Sequence, residues 1–158
     1  MGVSGCGKST VGQALADHLQ LQFYDGDDFH PEANKDKMTA GLPLTDMDRE
    51  PWLQTLAELL AEKDCVLACS SLKKKYRDTM VKLMASGESL VFIYLKGTKE
   101  LIESRLANRK GHYFKAGLLQ SQFDALEEPS DEEHVVIIDC DEDLEIIVDR
   151  VTEFMKTT

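Results

Sequence analysis

Short apolar runs alternate along the chain with longer stretches in which apolar residues return at helical spacing. The runs Leu21–Tyr24, Cys65–Cys69, Leu90–Leu95 and Val135–Ile138 are apolar almost throughout, as parallel strands covered on both faces must be. Between and after them, Trp52, Leu53, Leu56, Leu59 and Leu60, then Leu101, Ile102 and Leu106, then Leu144, Ile147, Val148, Val151 and Met155 form stripes that read as the core faces of helices. Pro31 suits a first helical turn and Gly41 the far end of that helix, with Asp28 as a cap before it and Asp46 as the cap of the next. The alternation predicts an α/β layer fold around a parallel sheet. No repeat, linker or low-complexity tract interrupts it, so residues 1–158 are expected to form one domain.

Charge removes several function classes. Twenty-nine acidic residues against 18 basic ones leave a formal charge of −11, which opposes non-specific binding to nucleic acid or to an anionic membrane. The longest apolar run falls far short of the ~20 residues of a membrane span, and no basic-plus-apolar leader opens the chain, so a soluble, cytoplasmic protein is expected. Cys6, Cys65, Cys69 and Cys140 are too few and too irregularly spaced for a disulfide framework or a zinc site.

The chemistry begins at once. Gly2-Val3-Ser4-Gly5-Cys6-Gly7-Lys8-Ser9 fits the phosphate-binding pattern G-x-x-x-x-G-K-[ST], with Thr10 and a helical stretch directly behind it. Small residues allow successive backbone N–H groups to surround a phosphate, and the helix that follows presents its positive end. Lys8 reaches toward the γ-phosphate of ATP, and the Ser9 hydroxyl is placed for Mg²⁺. A G-protein reading fails, because no Asp stands three residues before a glycine and Asn34-Lys35-Asp36-Lys37 lacks the final Asp of a guanine-reading motif. Asp25-Gly26-Asp27-Asp28 follows the first predicted strand, which puts its carboxylates at the C-terminal edge of the sheet, where α/β proteins bind ligands. Asp25 is the candidate for Mg²⁺, and Asp27 for accepting a proton from, or orienting, an attacking hydroxyl.

With these residues stand Phe23-Tyr24-Asp25-Gly26-Asp27-Asp28-Phe29-His30-Pro31, Gly41-Leu42-Pro43-Leu44-Thr45-Asp46-Met47-Asp48-Arg49 and Pro51-Trp52-Leu53. Cys69-Ser70-Ser71-Leu72-Lys73-Lys74-Lys75-Tyr76-Arg77-Asp78, Arg109-Lys110-Gly111-His112-Tyr113-Phe114 and Leu119 to Glu127 follow in order. Over nearly its whole length the chain resembles the gluconokinases of the P-loop small-molecule kinases. The resemblance implies a three-layer fold like that of nucleoside-monophosphate kinases. It also implies ATP-dependent phosphorylation of the 6-hydroxyl of D-gluconate, feeding the pentose phosphate route, and a homodimer.

ATP and a sugar acid are both anions, so an acidic chain must concentrate positive charge locally. Ten of the 18 basic residues fall between Lys73 and Arg77 and between Lys96 and Lys115. Lys73 and Arg77, one helical turn apart, can face the same substrate, with Ser70 or Ser71 capping their helix; Lys74 and Lys75 read as a solvated face. Residues 105–117 look like the lid that closes over ATP in this kinase group. In it Arg109 is expected to neutralise the transferring phosphoryl group and Arg105 to lie nearer the nucleotide, unless both are ordinary surface arginines. Arg49 would hold the gluconate carboxylate or pair with Asp46 or Asp48, and His30 would bond substrate hydroxyls.

Two departures qualify the resemblance. Cys6 stands where the family commonly has Ser, and a thiol at a helix N-terminus can become reactive. Only Met1 precedes Gly2, so the strand that leads into a P-loop is expected to be missing from the sheet. On that expectation the rival reading is a truncated, catalytically impaired homologue that binds nucleotide or a partner without turnover.

Overall fold

The computed structural model describes residues 1–84, 90–108, 116–130 and 134–157. Its four strands are β1 (Gln22–Asp25), β2 (Cys65–Ala68), β3 (Phe92–Lys96) and β4 (Val135–Asp139). Its helices are α1 (Lys8–Leu19), α2 (Glu32–Thr39), α3 (Asp46–Glu62), α4 (Lys74–Leu83), α5 (Lys99–Asn108), α6 (Ala116–Ala125) and α7 (Leu144–Thr157). All four expected strands form, but β1, β3 and β4 run on to a charged residue. Parallel ladders continue to the pairs Asp25↔Ala68 and Lys96↔Asp139, so backbone pairing, not apolarity, sets the ends.

Neighbouring strand residues enter different cores. Val66 and Val136 pack with Val11, Leu15, Ile102, Ile147 and Val151 from α1, α5 and α7. Their chain neighbours Leu67 and Val135 pack with Trp52, Leu53, Leu56, Tyr76 and Met80 from α3 and α4. Because adjacent strand residues point to opposite faces, there is one core on each side of the strands, and the fold has three layers.

The strands pair as two parallel couples, β1 with β2 and β3 with β4. Among the described residues Met1 and Gly2 bridge the couples. Met1 donates its amine to the Ile93 carbonyl and accepts from Leu95 N at 3.0 Å, while Gly2 N donates to Ser70 O at 3.1 Å. Bonding to residues two apart on β3 is the pattern of a parallel ladder with Met1 opposite Tyr94. Further down, β2 and β3 are separated by a cleft of ≈ 340 Å³, lined by Val11, Leu15 and Leu19 on the α1 side and by Leu60 and Met80 on the other.

Helix ends correct three expectations. Asp46 is not the cap of α3. Thr45 is, and it forms a capping box with Asp48, since a cap needs an extended backbone and Asp46 is already helical. Asp28 does not cap α2, whose N-cap is Pro31 with no side-chain bond; Asp28 lies instead in a 3₁₀ turn over Gly26–Phe29. Neither Ser70 nor Ser71 caps α4, whose N-cap is Lys73; there the Lys74 amide is taken by Glu127 Oε2. Gly41 ends α2 as expected, at φ 73° with its amide on Met38 O at 3.0 Å.

Asp48 also receives Lys37 Nζ at 2.7 Å. Lys37 and the Thr45 amide and hydroxyl hold its carboxyl at about 2, below the ordinary 3.8. A group whose folded pKa is depressed stabilises above its unfolded value, and that stability is lost as pH falls toward the folded one. Acid melts are therefore expected to lose stability between about pH 4 and pH 2, and Asp48→Asn to flatten that slope.

Candidate active site

The phosphate loop runs straight into α1. Gly7, the N-cap, has φ 97°, and a Cβ there would meet nothing within 4 Å, so the loop is open at that point. Gly5, at φ 86°, has the opposite surroundings: a Cβ would lie 2.9 Å from Leu106 Cγ, and the loop rests on α5 because no side chain intervenes.

Gly2 to Thr10 were expected to line the phosphate as one ring. Three of those amides already have partners within the protein. Gly2 N is spent on Ser70 O, Ser4 N on Gln122 Oε1 at 2.7 Å and Cys6 N on Val3 O at 3.4 Å. Among the described residues the amides of Val3, Gly5 and Gly7 remain, together with those of Lys8, Ser9 and Thr10 in the first turn of α1, where N–H groups have no intrahelical acceptor and favour an anion. Lys8 Nζ donates to Val3 O at 2.9 Å, folded back over the loop it would serve. Cys6 is 1% exposed, and its thiol belongs to the core cluster of Val3, Val11 and Leu15.

Ser9 Oγ donates to Asp25 Oδ2 at 3.1 Å, and Asp25 Oδ1 accepts Asp27 N at 3.1 Å. The phosphate loop and the acidic loop thus meet through two oxygen ligands of the kind a hard cation takes, so the donor set fits Mg²⁺. Desolvation, then the charge of Asp25, raises the Asp27 pKa. With that side chain 86% exposed, repulsion from Asp25 is the cause that carries weight.

His30 is 7% exposed, stacked on Trp52 with ring centroids 4.2 Å apart, and its Nε2 is 3.9 Å from Asp27 Oδ1. Burial lowers its pKa, so the ring is neutral near pH 7. Trp52, expected only as core, also donates Nε1–H to Gly26 O at 2.7 Å and holds the acidic loop.

The basic residues are less free than expected. Arg77 is 1% exposed and donates to Ser71 O at 3.0 Å and Leu72 O at 3.4 Å. It therefore does not stand beside Lys73 over a shared open site. Lys73, Lys75 and the Tyr76 hydroxyl all bond Asp46, and these donors hold its carboxyl well below the usual range. Lys74 pairs with Asp78. Arg49 pairs with neither Asp46 nor Asp48; it donates to Leu44 O and Thr45 O and lies 5.8 Å from the Tyr76 ring centroid. Among the described residues no carboxylate neutralises it. Arg105 is paired with Asp141 at 2.9 Å. Arg109 and most of the 105–117 lid fall outside the described residues, while the lid's ends belong to α5 and α6.

Gln122 had no assigned role, yet its Oε1 and Nε2 hold Ser4 N and Ser4 Oγ. Only the fold brings together residues so distant in the chain. Asn34 likewise carries no signal in the local sequence.

A P-loop at the head of α1, an acidic loop after the neighbouring strand and three α/β layers define a P-loop kinase, and residues 4–156 match the family model described as shikimate kinase. The thermoresistant gluconokinase of Escherichia coli K12 is 46% identical, with 99% of this chain and 91% of that protein aligned. A probable gluconokinase of Mus musculus is 44% identical over 99% and 95%. The crystal structure of a gluconokinase from Sinorhizobium meliloti 1021 superposes with a TM-score of 0.90 at 39% identity, over 99% of this chain and 89% of that one. A shikimate kinase from Bacteroides thetaiotaomicron, at 18% identity and TM-score 0.68, shares the fold. The chain belongs to the gluconokinase family. Among the described residues no helix is long and apolar enough to cross a membrane.

Proposed function

We propose that this protein transfers the γ-phosphoryl group of ATP to the 6-hydroxyl of D-gluconate. The observation that carries the reading is the Ser9–Asp25 bond, which joins the phosphate loop to the acidic loop at one sheet edge. The free amides of Gly5, Gly7 and the first turn of α1 take the phosphates, and Lys8 swings from Val3 O onto the γ-phosphate. Ser9 and Asp25 would hold Mg²⁺, which neutralises charge on the phosphates. Asp27, its proton affinity raised by Asp25, orients the sugar hydroxyl and takes its proton as the new bond forms. Arg49, with no carboxylate partner among the described residues, takes the gluconate carboxylate, and His30 bonds a substrate hydroxyl.

The test is ADP release measured across gluconate and related sugar acids. Turnover that requires gluconate supports the reading, and equal turnover without it overturns it. Asp27→Asn is expected to lower kcat about 10²-fold or more with little change in either KM, because its contact is made in the transition state. Arg49→Ala is expected mainly to raise the KM for gluconate, by roughly tenfold, the scale of one charged hydrogen bond. The reverse pattern would exchange their roles.

A further inference from the structure

Asn34 is 4% exposed, the buried residue of a helix, α2, whose other residues are exposed or half-buried. Its Nδ2 donates to Asp48 O at 2.8 Å and lies 3.4 Å from His30 Nδ1. The first bond settles the orientation of the carboxamide: Asp48 O is an acceptor, so the NH₂ end must face it. The same NH₂ end then faces His30. An amide nitrogen has no lone pair to offer, so His30 Nδ1 must be the acceptor and cannot carry a proton. In the neutral ring the proton is left on Nε2, the nitrogen turned toward Asp27.

We propose that Asn34 is a positioning residue: it fixes His30 as the Nε2–H tautomer, so that the imidazole presents an N–H to Asp27 and to the hydroxyl that Asp27 orients. Trp52 sets the plane of the ring by stacking, and Asn34 sets which edge carries the proton. At 3.9 Å the Nε2 to Asp27 contact is longer than a hydrogen bond, a separation that one hydroxyl can bridge by accepting from Nε2–H and donating to Asp27. Burial keeps the ring neutral; Asp27 opposes this, while Arg49 and Lys35 reinforce it. Only a neutral ring has a tautomer to choose.

The catalytic part of the inference rests on Asp27 acting on the sugar hydroxyl, so the test reads the tautomer and turnover separately. Long-range ¹H–¹⁵N spectra of the full chain, assigned by comparison with His30→Gln, are expected to show His30 Nδ1 unprotonated and Nε2 protonated. Asn34→Asp should move the proton to Nδ1, because a carboxylate there accepts rather than donates. Asn34→Leu should leave a mixture, and Asn34→Ser takes its place if the apolar variant does not fold. For Asn34→Asp, kcat is expected to fall at least tenfold, with the KM for ATP unchanged. A wild-type His30 protonated on Nδ1, or spectra unmoved by every variant, overturns the proposal. A moved proton with unchanged kcat upholds the tautomer assignment and overturns the role given to Asp27.

Discussion

Lys8→Ala is expected to abolish gluconate-dependent ADP release, with kcat down by about 10³-fold, while the melting curve barely moves. In the structure Lys8 spends its charge on one carbonyl, Val3 O, and a neutral acceptor on a half-exposed loop contributes only about 1 kcal/mol to stability. Its value lies in the transition state, where charge spreads over the phosphoryl oxygens and a preorganised cation is worth ~10²–10³ in rate or more. Circular-dichroism melts beside the coupled assay separate the two effects. Wild-type turnover in Lys8→Ala would remove the loop from the mechanism.

A second large effect is expected at the cleft between β2 and β3. An extended apolar segment of about five residues joined ahead of Met1 continues the ladder that Met1 begins against Ile93 and Leu95. Five apolar side chains in a cleft lined by Val11, Leu15, Leu60 and Met80 gain ~1.5–3 kcal/mol each, against ~1–2 kcal/mol per residue for ordering the backbone. A few kcal/mol remain, which at roughly 3 °C per kcal/mol for a chain of this size predicts a rise in Tm of about 10 °C. Tighter ATP binding should accompany it, because the segment would run directly into the phosphate loop. An equal-length segment carrying Pro and Asp should do neither. Equal Tm and equal ATP affinity in all three forms would show that Met1 and Gly2 alone close the sheet.

How far the sequence carries can be seen residue by residue. The phosphate loop, the acidic loop and the four strand cores were legible, because local spacing dictates them: a G-K-S at a helix start and unbroken apolar runs have few other uses. What distance alone brings together was not legible. Ser4 was grouped with the phosphate ligands because nothing near it in the chain hints that Gln122 takes its amide. Arg77 read as a substrate-facing cation beside Lys73, because its burial depends on the Ser71 and Leu72 carbonyls turning inward, with Ser71 at φ 45°. Asp46 read as a cap; three donors from the α4 region make it a sink for positive charge instead. Trp52 belonged to an apolar stripe, and only the fold reveals that its indole N–H also reaches Gly26. Asn34 stood in a rejected motif, and its meaning depends on which atom faces it.

One helix is fastened at two places. From α6, Gln122 grips Ser4 of the phosphate loop; just beyond it, Glu127 donates its amide to Leu72 O at 2.8 Å and takes the Lys74 amide with its carboxylate. The helix thereby acts as a tie rod between the nucleotide end of the site and the start of α4. To slide by even a fraction of its 5.4 Å pitch it must release Ser4, or Leu72 and Lys74, or all three. A force that displaces the phosphate loop is therefore felt at Leu72 and Lys74, where α4 begins, without passing through the sheet.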